Sequence, residues 1–204
     1  MREAVSALIL AGGKAKRLGG IAKHEIVVED RGGKTIFECQ TEVLAPRVQE
    51  ILVASPVDVP GYRCVHDVLP DVGPLAGIAA GLQAMLTPWL LVTAGDMPYL
   101  AGEVVDLVIA AASTNVHAVG VRINGLPEPL FCLLSRRAYP AVERRLHARR
   151  NKVSGLLTEE RLFVHWIDEP EVRAVDPTLH SFFNVNEPED LRGLSPGGTG
   201  GKSA

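Results

Sequence analysis

Short apolar runs alternate along this chain with longer segments in which apolar residues recur every three or four positions. The short runs are typical of buried strands, and the longer segments are typical of helices with one face in a core. Strands are expected at residues 4–10, 50–54, 89–93, 116–121 and 130–134. Helices are expected at residues 34–44, 76–86, 102–112 and 136–148. This alternation predicts a single Rossmann-like α/β/α domain of three layers, with a mostly parallel sheet covered on both faces.

The composition fits one domain and narrows the choice of partners. The chain has 204 residues, 47% of them hydrophobic, which is enough to bury one sizeable core. We expect the domain to span residues 1–192, followed at 193–204 by a flexible tail rich in Gly and Ser. The net charge of −3 gives no sign of a nucleic-acid or anionic membrane partner, and no apolar run of about 18 residues indicates a membrane span. The cysteines, Cys39, Cys64 and Cys132, match neither a disulfide framework nor a metal motif, so a reducing cytoplasm is expected.

A glycine-rich loop, with the sequence LAGGKAKRLGG at residues 10–20, follows the first expected strand. Glycines let backbone N–H groups approach an anion, and Arg17 and Lys23 would add cationic side chains for a polyphosphate. The loop has neither the Gly-Lys-Ser/Thr ending of a P-loop nor the G-x-G-x-x-G spacing of a dinucleotide site, which disfavours a Rossmann oxidoreductase. Alone, such a loop is about as often an ordinary polar turn, so the accompanying motifs decide its meaning.

Two further motifs stand where a strand ends and where a helix begins. Asp96 ends an apolar strand and is placed to bind a hard cation such as Mg²⁺. Gly73, Pro74 and Leu75 open a helix, whose free N–H groups and positive dipole end suit an anion. Each motif also has a simpler interpretation, with Asp96 as the N-cap of the helix after Pro98 and the Gly-Pro pair as a tight turn.

Polar residues in the remaining loops are further candidates. Asp67 precedes the Gly-Pro helix start, and Asn184 and Asn186 precede the sequence EPEDL, where an amide could complete a metal site. All three could equally be turn residues. Glu128 enters a strand within the sequence PEPLF. A solvated helix face better explains most members of a basic stretch that consists of Arg136, Arg137, Arg144, Arg145, Arg149, Arg150 and Lys152. The alternative is that Arg149, Arg150 or Lys152, at the helix end, contacts an anionic substrate or a partner enzyme.

The motifs LAGGKAKRLGG with Lys23, GPLAGI, GDMP, PLF and NVNEPEDL together resemble those of the molybdenum cofactor guanylyltransferases. They occur in the family's order, from about residue 4 to residue 191. The resemblance implies a nucleotide-diphospho-sugar-transferase-like fold and an enzyme that uses Mg²⁺ to join GMP from GTP to molybdopterin, with release of pyrophosphate. GTP and molybdopterin, or the molybdenum cofactor itself, are the implied substrates, and molybdoenzymes or their chaperones are further candidate partners.

The resemblance also implies roles for the residues that match the family's motifs. Asp96 would ligate Mg²⁺, and it would act in catalysis together with Arg17 and Lys23 on the triphosphate. The positions implied to bind the nucleotide or the pterin phosphate are Leu10, Ala11, Gly12, Gly13, Lys23, Asp67, Gly73, Pro74, Leu75, Asn184 and Asn186.

Other functions stay open at this point. A cytidylyltransferase for the same pterin, or another small-substrate nucleotidyltransferase, is the nearest alternative, although the LAGG start favours the larger guanine base. A nucleotide-binding adaptor with weak catalysis is another, because Ala22 stands before Lys23 where the family commonly has Asp. Turnover separates them, since pyrophosphate release requires both substrates and a binding protein requires only the nucleotide.

Overall fold

A computed structural model describes residues 3–12, 25–66, 72–185 and 190, and within them a seven-stranded sheet forms the centre of the fold. The strands in chain order are β1 (Val5–Leu10), β2 (Val27–Val28), β3 (Lys34–Thr35), β4 (Glu50–Ala54), β5 (Arg63–Val65), β6 (Trp89–Ala94), β7 (Ala118–Ile123), β8 (Leu126–Ser135) and β9 (Val164–Asp168). The order across the large sheet is β5-β4-β1-β6-β8-β7-β9, and β2 and β3 form a separate antiparallel pair.

Parallel pairing brings several strand ends to one edge of the sheet. Leu10, at the end of β1, lies opposite Ala54 of β4 on one side and opposite Ala94 of β6 on the other. β4 and β5 are also parallel, as are β7 and β9. We call the edge at which β1, β4 and β6 end the carboxyl edge. The prediction of a mostly parallel sheet is therefore confirmed.

One strand of the large sheet runs against the others. β8 pairs antiparallel with both β6 and β7. The reason lies in the turn between β7 and β8, where Asn124 and Gly125 have φ angles of 52° and 74°. Two successive residues with positive φ are typical of the tight turns that close hairpins, and Asn-Gly is the favoured pair. The hairpin returns the chain at the carboxyl edge without a crossover helix.

Helices cover both faces of the sheet. They are α1 (Ile36–Leu44), α2 (Pro74–Ala84), α3 (Gly102–Ala110), α4 (Tyr139–His147), α5 (Val153–Thr158) and α6 (Glu169–Arg173). Alternate residues of β1 point to opposite faces, with Ala7 and Ile9 in the cluster that includes α1, α3 and α6, and Leu8 in the cluster that includes α2, α4 and α5. The three-layer prediction is confirmed, and each face of the sheet packs against its own helices.

The structure moves several of the expected boundaries. α1 begins at Ile36 rather than at residue 34, because Thr35 and Glu38 form a capping box. α2 begins at Pro74, which suits the first turn of a helix since it has no N–H to leave unpaired. A 3-10 turn at Arg136–Ala138 precedes α4, so the expected helix at 136–148 is shorter. β5, β9, α5 and α6 were not expected from the apolar pattern.

The tail predicted at 193–204 lies outside the described residues. Within the part of the chain that the structure describes, no helix is long and apolar enough to cross a membrane.

Candidate functional site

The residues that follow β1 and β6 touch each other at the carboxyl edge. The Gly95 N–H donates to the Leu10 carbonyl oxygen at 3.1 Å. A Cβ atom on residue 95 would stand 2.6 Å from that oxygen and 3.3 Å from the Ala11 Cα, which is too close for any residue except glycine. The glycine at the start of GDMP therefore brings the turn that carries Asp96 against the start of the glycine-rich loop.

Gln40 binds the backbone of the Asp96 turn through its side-chain amide. Its side chain is fully buried, and its Nε2 donates to the carbonyl oxygens of Ala94 at 2.7 Å and Met97 at 3.2 Å. A buried amide that donates to two backbone carbonyls fixes their separation, because its loss would remove a hydrogen bond from each of them. Gln40 was not among the residues expected at the site from the sequence. The available signal was its spacing, since it lies at a core position between Ile36 and Leu44 of α1.

A segment near the carboxyl terminus lies against the same turn. The Val185 N–H donates to the Asp96 carbonyl oxygen at 2.9 Å, and the Val185 side chain is fully buried. Asn184, the residue before it, is exposed. The structure thus brings Asn184 next to Asp96 and to the end of β1, although 88 residues of sequence separate Asn184 from Asp96.

A buried carboxylate shapes the approach to this segment. Asp176 accepts hydrogen bonds from the N–H groups of Ser181 at 2.8 Å and His180 at 3.2 Å, and from the Thr178 hydroxyl at 3.2 Å. Burial would raise the pKa of the Asp176 carboxyl, but the hydrogen bonds led by those from Ser181 hold its pKa below the usual value. Leu179 adopts a φ of 56° within this loop. The loop is therefore set by one carboxylate that the sequence analysis did not single out.

The position of Asp96 excludes its simpler interpretation. Ala101, not Asp96, is the N-cap of α3, so Asp96 does not cap that helix. Asp96 is partly buried in the turn after β6, and it engages in interactions of its own within the structure. Among the described residues, no three His, Cys, Asp or Glu side chains gather into a metal site. Mg²⁺ in phosphate-transfer sites commonly takes only one or two protein carboxylates, together with substrate phosphates and water, and Asp96 fits that pattern.

Two backbone groups at the start of the glycine-rich loop form hydrogen bonds within the fold. The Ala11 N–H donates to the Ala54 carbonyl oxygen at 2.9 Å, and the Leu10 carbonyl accepts from Gly95. These two groups hold the loop to the sheet. Gly12 is exposed, and a Cβ atom there would meet the Ala54 oxygen only at 3.7 Å. Contact of Leu10, Ala11 and Gly12 with a nucleotide stays a prediction, and Gly12 has the open surface for it.

The start of α2 also belongs to the carboxyl edge. α2 connects β5 to β6, which run in the same direction, so the helix begins near the end of β5 and returns along the sheet. Gly73 has a φ of 89° and is exposed together with Pro74, whereas the Leu75 side chain is fully buried. Only the backbone of Leu75 could therefore face a ligand.

Several predicted residues lie outside the described residues. They are Gly13, Arg17, Lys23, Asp67 and Asn186.

Glu128 lies close to the carboxyl edge on an irregular stretch of β8. Phe131 opposes Thr93, and because β8 runs antiparallel to β6, Glu128 extends past the same end of the ladder as Asp96. The register with β7 shifts between the pairs Gly120–Cys132 and Arg122–Pro127, which is a bulge of the kind often found beside active sites. Burial raises the pKa of the Glu128 carboxyl.

The basic stretch after α4 is more internally paired than its sequence indicated. Arg145 is 2% exposed, so the solvated-face interpretation does not hold for this member of the stretch. Its guanidinium donates to the backbone oxygens of Arg150 and Lys152 at 3.1 and 3.2 Å, which closes the loop between α4 and α5. Arg150 pairs with Glu160 at 3.2 Å. Arg149 and Lys152 remain exposed and keep the anion-contact alternative open.

Comparison with known proteins gives this arrangement a family. The family model of the MobA-like NTP transferase domain matches residues 7–162, which include most of β1, the Asp96 turn and the start of α2. The chain belongs to the MobA-like NTP transferase family.

Relatives of this MobA-like transferase match it over most of both chains. The molybdenum cofactor guanylyltransferase of Desulfosudis oleivorans is 31% identical over 93% of this chain and 93% of its own. The molybdenum cofactor guanylyltransferase of Pseudomonas putida strain F1 is 29% identical, over 94% of this chain and 97% of its own. Among solved structures, the molybdopterin-guanine dinucleotide biosynthesis protein A of Archaeoglobus fulgidus superposes with a TM-score of 0.76 at 26% identity, over 92% of this chain and 95% of its own. Unlike the family model, these three matches extend past residue 162, so they include the segment that carries Asn184.

Proposed function

We propose that this MobA-like transferase moves GMP from GTP to the terminal phosphate of molybdopterin and releases pyrophosphate. The observation that carries the proposal is the match, over nearly the full length of both chains, to relatives named molybdenum cofactor guanylyltransferases. The assembly of the Asp96 turn, the Gly12 backbone and the Asn184 segment at one sheet edge supports it, since ligands of such folds bind beyond the carboxyl ends of the strands.

The reaction is a substitution at the α-phosphorus of GTP that needs no protein nucleophile. An oxygen of the pterin phosphate forms a bond to the α-phosphorus of GTP, and the bond from that phosphorus to the β-bridging oxygen breaks. Pyrophosphate leaves with the electron pair. A phosphate monoester is already an anion near neutral pH, because its second pKa is about 6, so no strong general base is required. The protein therefore contributes mainly position and charge.

Asp96 is the residue that we assign to the metal. When bound there, Mg²⁺ would polarise the α-phosphate and reduce the repulsion between the two anionic substrates. The residues that hold Asp96 in place are on a rigid part of the fold, because Gly95 is pressed against β1 and Gln40 binds the carbonyls on either side. Asn184, adjacent through the Val185 hydrogen bond, is proposed to bind a phosphate oxygen or a metal-bound water.

The decisive experiment measures nucleotide preference and turnover. We expect calorimetry to show Mg²⁺-dependent binding of GTP and weaker binding of CTP and ATP. We expect pyrophosphate release to require GTP, Mg²⁺ and molybdopterin together. Preference for CTP would instead favour a cytidylyltransferase, and GTP binding without any pyrophosphate release would favour the adaptor.

A substitution at Asp96 tests its assignment. In Asp96→Ala we expect turnover to fall about 100-fold or more while the fold persists, because a metal ligand acts on the reacting phosphates. Asp106→Ala is the matched control, since Asp106 is a carboxylate on α3 that pairs with Arg47 at 3.2 Å and is not among the residues assigned to the metal or the nucleotide. Near-normal turnover in Asp96→Ala would remove Asp96 from the metal site.

A further inference from the structure

A small apolar cluster joins the Asp96 turn to two other parts of the chain. Its buried members are Val28, Ile36, Cys39, Tyr99 and Val185, with Ile26 and Phe183 packed against them. We call it the Tyr99 cluster. It lies apart from the two clusters that cover the faces of the large sheet. Its members come from the β2–β3 pair, from α1, from the residues after Asp96 and from the segment that carries Asn184.

Tyr99 connects these parts through both its ring and its hydroxyl. The side chain is 4% exposed, and its ring stacks on His180 with the centroids 5.0 Å apart. Phe183 lies 5.9 Å away on the same segment. The hydroxyl donates to both carboxylate oxygens of Asp30, at 3.1 and 3.0 Å, in the turn between β2 and β3. The Arg31 guanidinium, beside Asp30, lies 5.1 Å from the centre of the ring.

The hydroxyl stays a hydrogen-bond donor over the whole physiological range. Burial and the hydrogen bond to Asp30 raise the pKa of Tyr99 to about 12. A phenol that is desolvated and bonded to a carboxylate keeps its proton, because ionisation would place two negative charges side by side.

The cluster adds contacts to the Asp96 turn beyond those that Gln40 makes. Gln40 binds the backbone at Ala94 and Met97, and Val185 donates to the Asp96 carbonyl. Tyr99 lies three residues after Asp96, and Val185 packs in the same cluster as its ring. Movement of the Tyr99 ring would therefore displace Val185 and with it the hydrogen bond to Asp96.

We propose that Tyr99 is a positioning residue for the metal ligand: anchored to Asp30 and packed on His180, it holds Asp96 and Asn184 in the arrangement that receives the substrate phosphates. The inference rests on the function proposed above for the role of Asp96. It adds a residue, Tyr99, that does not touch the reacting atoms and acts through the position of Asp96. It also assigns a purpose to the β2–β3 pair, whose turn supplies the anchor Asp30.

The test uses Tyr99→Phe and Asp30→Ala, with Tyr139→Phe as the matched control. Tyr99→Phe keeps the ring in the cluster and removes only the hydroxyl. Tyr139 lies at the start of α4, where its hydroxyl bonds to Glu143 at 3.5 Å and to Gln83, away from the Tyr99 cluster. The first readout is hydrogen exchange at the Val185 amide, which donates to Asp96. We expect exchange to accelerate about tenfold in Tyr99→Phe and Asp30→Ala, because the opening of this segment becomes easier, and to be unchanged in Tyr139→Phe.

The second readout is the Mg²⁺ concentration that half-saturates GTP binding and turnover. We expect it to rise about three- to tenfold in Tyr99→Phe and in Asp30→Ala, and no further in the double variant, because both remove the same bond. A purely structural role would lower the melting temperature and leave the Mg²⁺ requirement unchanged, and that result would overturn the proposal. Unchanged Val185 exchange would overturn it as well.

The two proposals fail in different ways. If the wild-type protein does not bind GTP or release pyrophosphate, the proposed function is wrong. The Val185 exchange measurement does not depend on substrate, so it still decides whether the Tyr99–Asp30 bond positions the Asp96 turn.

Discussion

A methyl group added at Gly95 would stand 2.6 Å from the Leu10 carbonyl oxygen and 3.3 Å from the Ala11 Cα. A Cβ atom almost never stands closer than about 3.0 Å to such an atom and seldom closer than about 3.4 Å, so in Gly95→Ala the turn and the end of β1 must separate by about 0.4–0.8 Å. Both neighbours are backbone atoms, one in the last residue of the central strand β1 and one in the residue after it, and neither can rotate away as a side chain would. The strain therefore falls on the hydrogen bond from Gly95 to Leu10 and on the position of Asp96.

The size of both effects follows from this separation. Overpacking of a well-ordered site costs about 1–3 kcal/mol in the free energy of unfolding. For a protein of this length, that corresponds to a fall of roughly 2–12 °C in the melting temperature. A displacement approaching 1 Å of a group that positions substrate reduces turnover by up to about 100-fold, so we expect a loss of about 10- to 100-fold in Gly95→Ala.

The assay pairs calorimetric melting with pyrophosphate release at saturating GTP, Mg²⁺ and molybdopterin. Gly12→Ala is the control for stability, since a Cβ atom there would meet its nearest neighbours at ordinary distances of 3.7 and 4.0 Å. Its melting temperature is expected to match that of the wild type. A Gly95→Ala protein as stable and as active as the wild type would refute the close approach. A destabilised but fully active protein would refute the link between the position of this turn and the chemistry.

Two further predictions concern carboxylates. Asp176→Asn should lower the free energy of unfolding by about 1–3 kcal/mol at pH 7, because the amide offers only one acceptor oxygen to the Ser181, His180 and Thr178 donors. The folded-state pKa of Asp176 lies below its usual value, so its stabilising effect is present above about pH 4 and is lost as the pH falls through the folded-state value. The loss of unfolding free energy in Asp176→Asn, measured by urea unfolding, should therefore be smaller at pH 2.5 than at pH 7. An equal loss at both pH values would contradict this. Burial raises the pKa of Glu128, so its charge opposes folding at neutral pH, and Glu128→Gln should raise the melting temperature at pH 7 but not at pH 3.5. A lower melting temperature at pH 7 would contradict this prediction.

The central strands were predictable because burial on both faces leaves a clear mark in sequence. β1, β4 and β6 are nearly continuous apolar runs, and β4 was expected at its observed bounds. The β7–β8 hairpin was missed even though Asn124-Gly125 is a strong local signal for a tight turn. The expected alternation of strand and helix outweighed that signal. Edge elements such as β5 and β9 are short and partly exposed, so the apolar pattern marks them weakly.

The candidate site was predictable only where its residues follow strands. Asp96 was assigned from its place after a buried run, and the structure brings it to the end of β1 as parallel pairing requires. Gln40, Tyr99 and Asp30 could not be assigned in this way, because their importance lies in contacts across 54 to 69 residues of sequence. Tertiary packing, which local patterns do not encode, decides those contacts.

The tight turn between β7 and β8 is a position at which the fold can accept insertions. It lies at the carboxyl edge, yet it belongs to the antiparallel half of the sheet and not to β1 or β6. Lengthening a surface turn adds little entropic cost, about 0.6 kcal/mol for each doubling of its length. Insertions at Asn124-Gly125 would extend over the strand ends beside Glu128 without altering the Gly95–Leu10 contact. Relatives could thus differ in the acceptor substrate that they bind, while the half of the sheet that contains β1 and β6 remains unchanged.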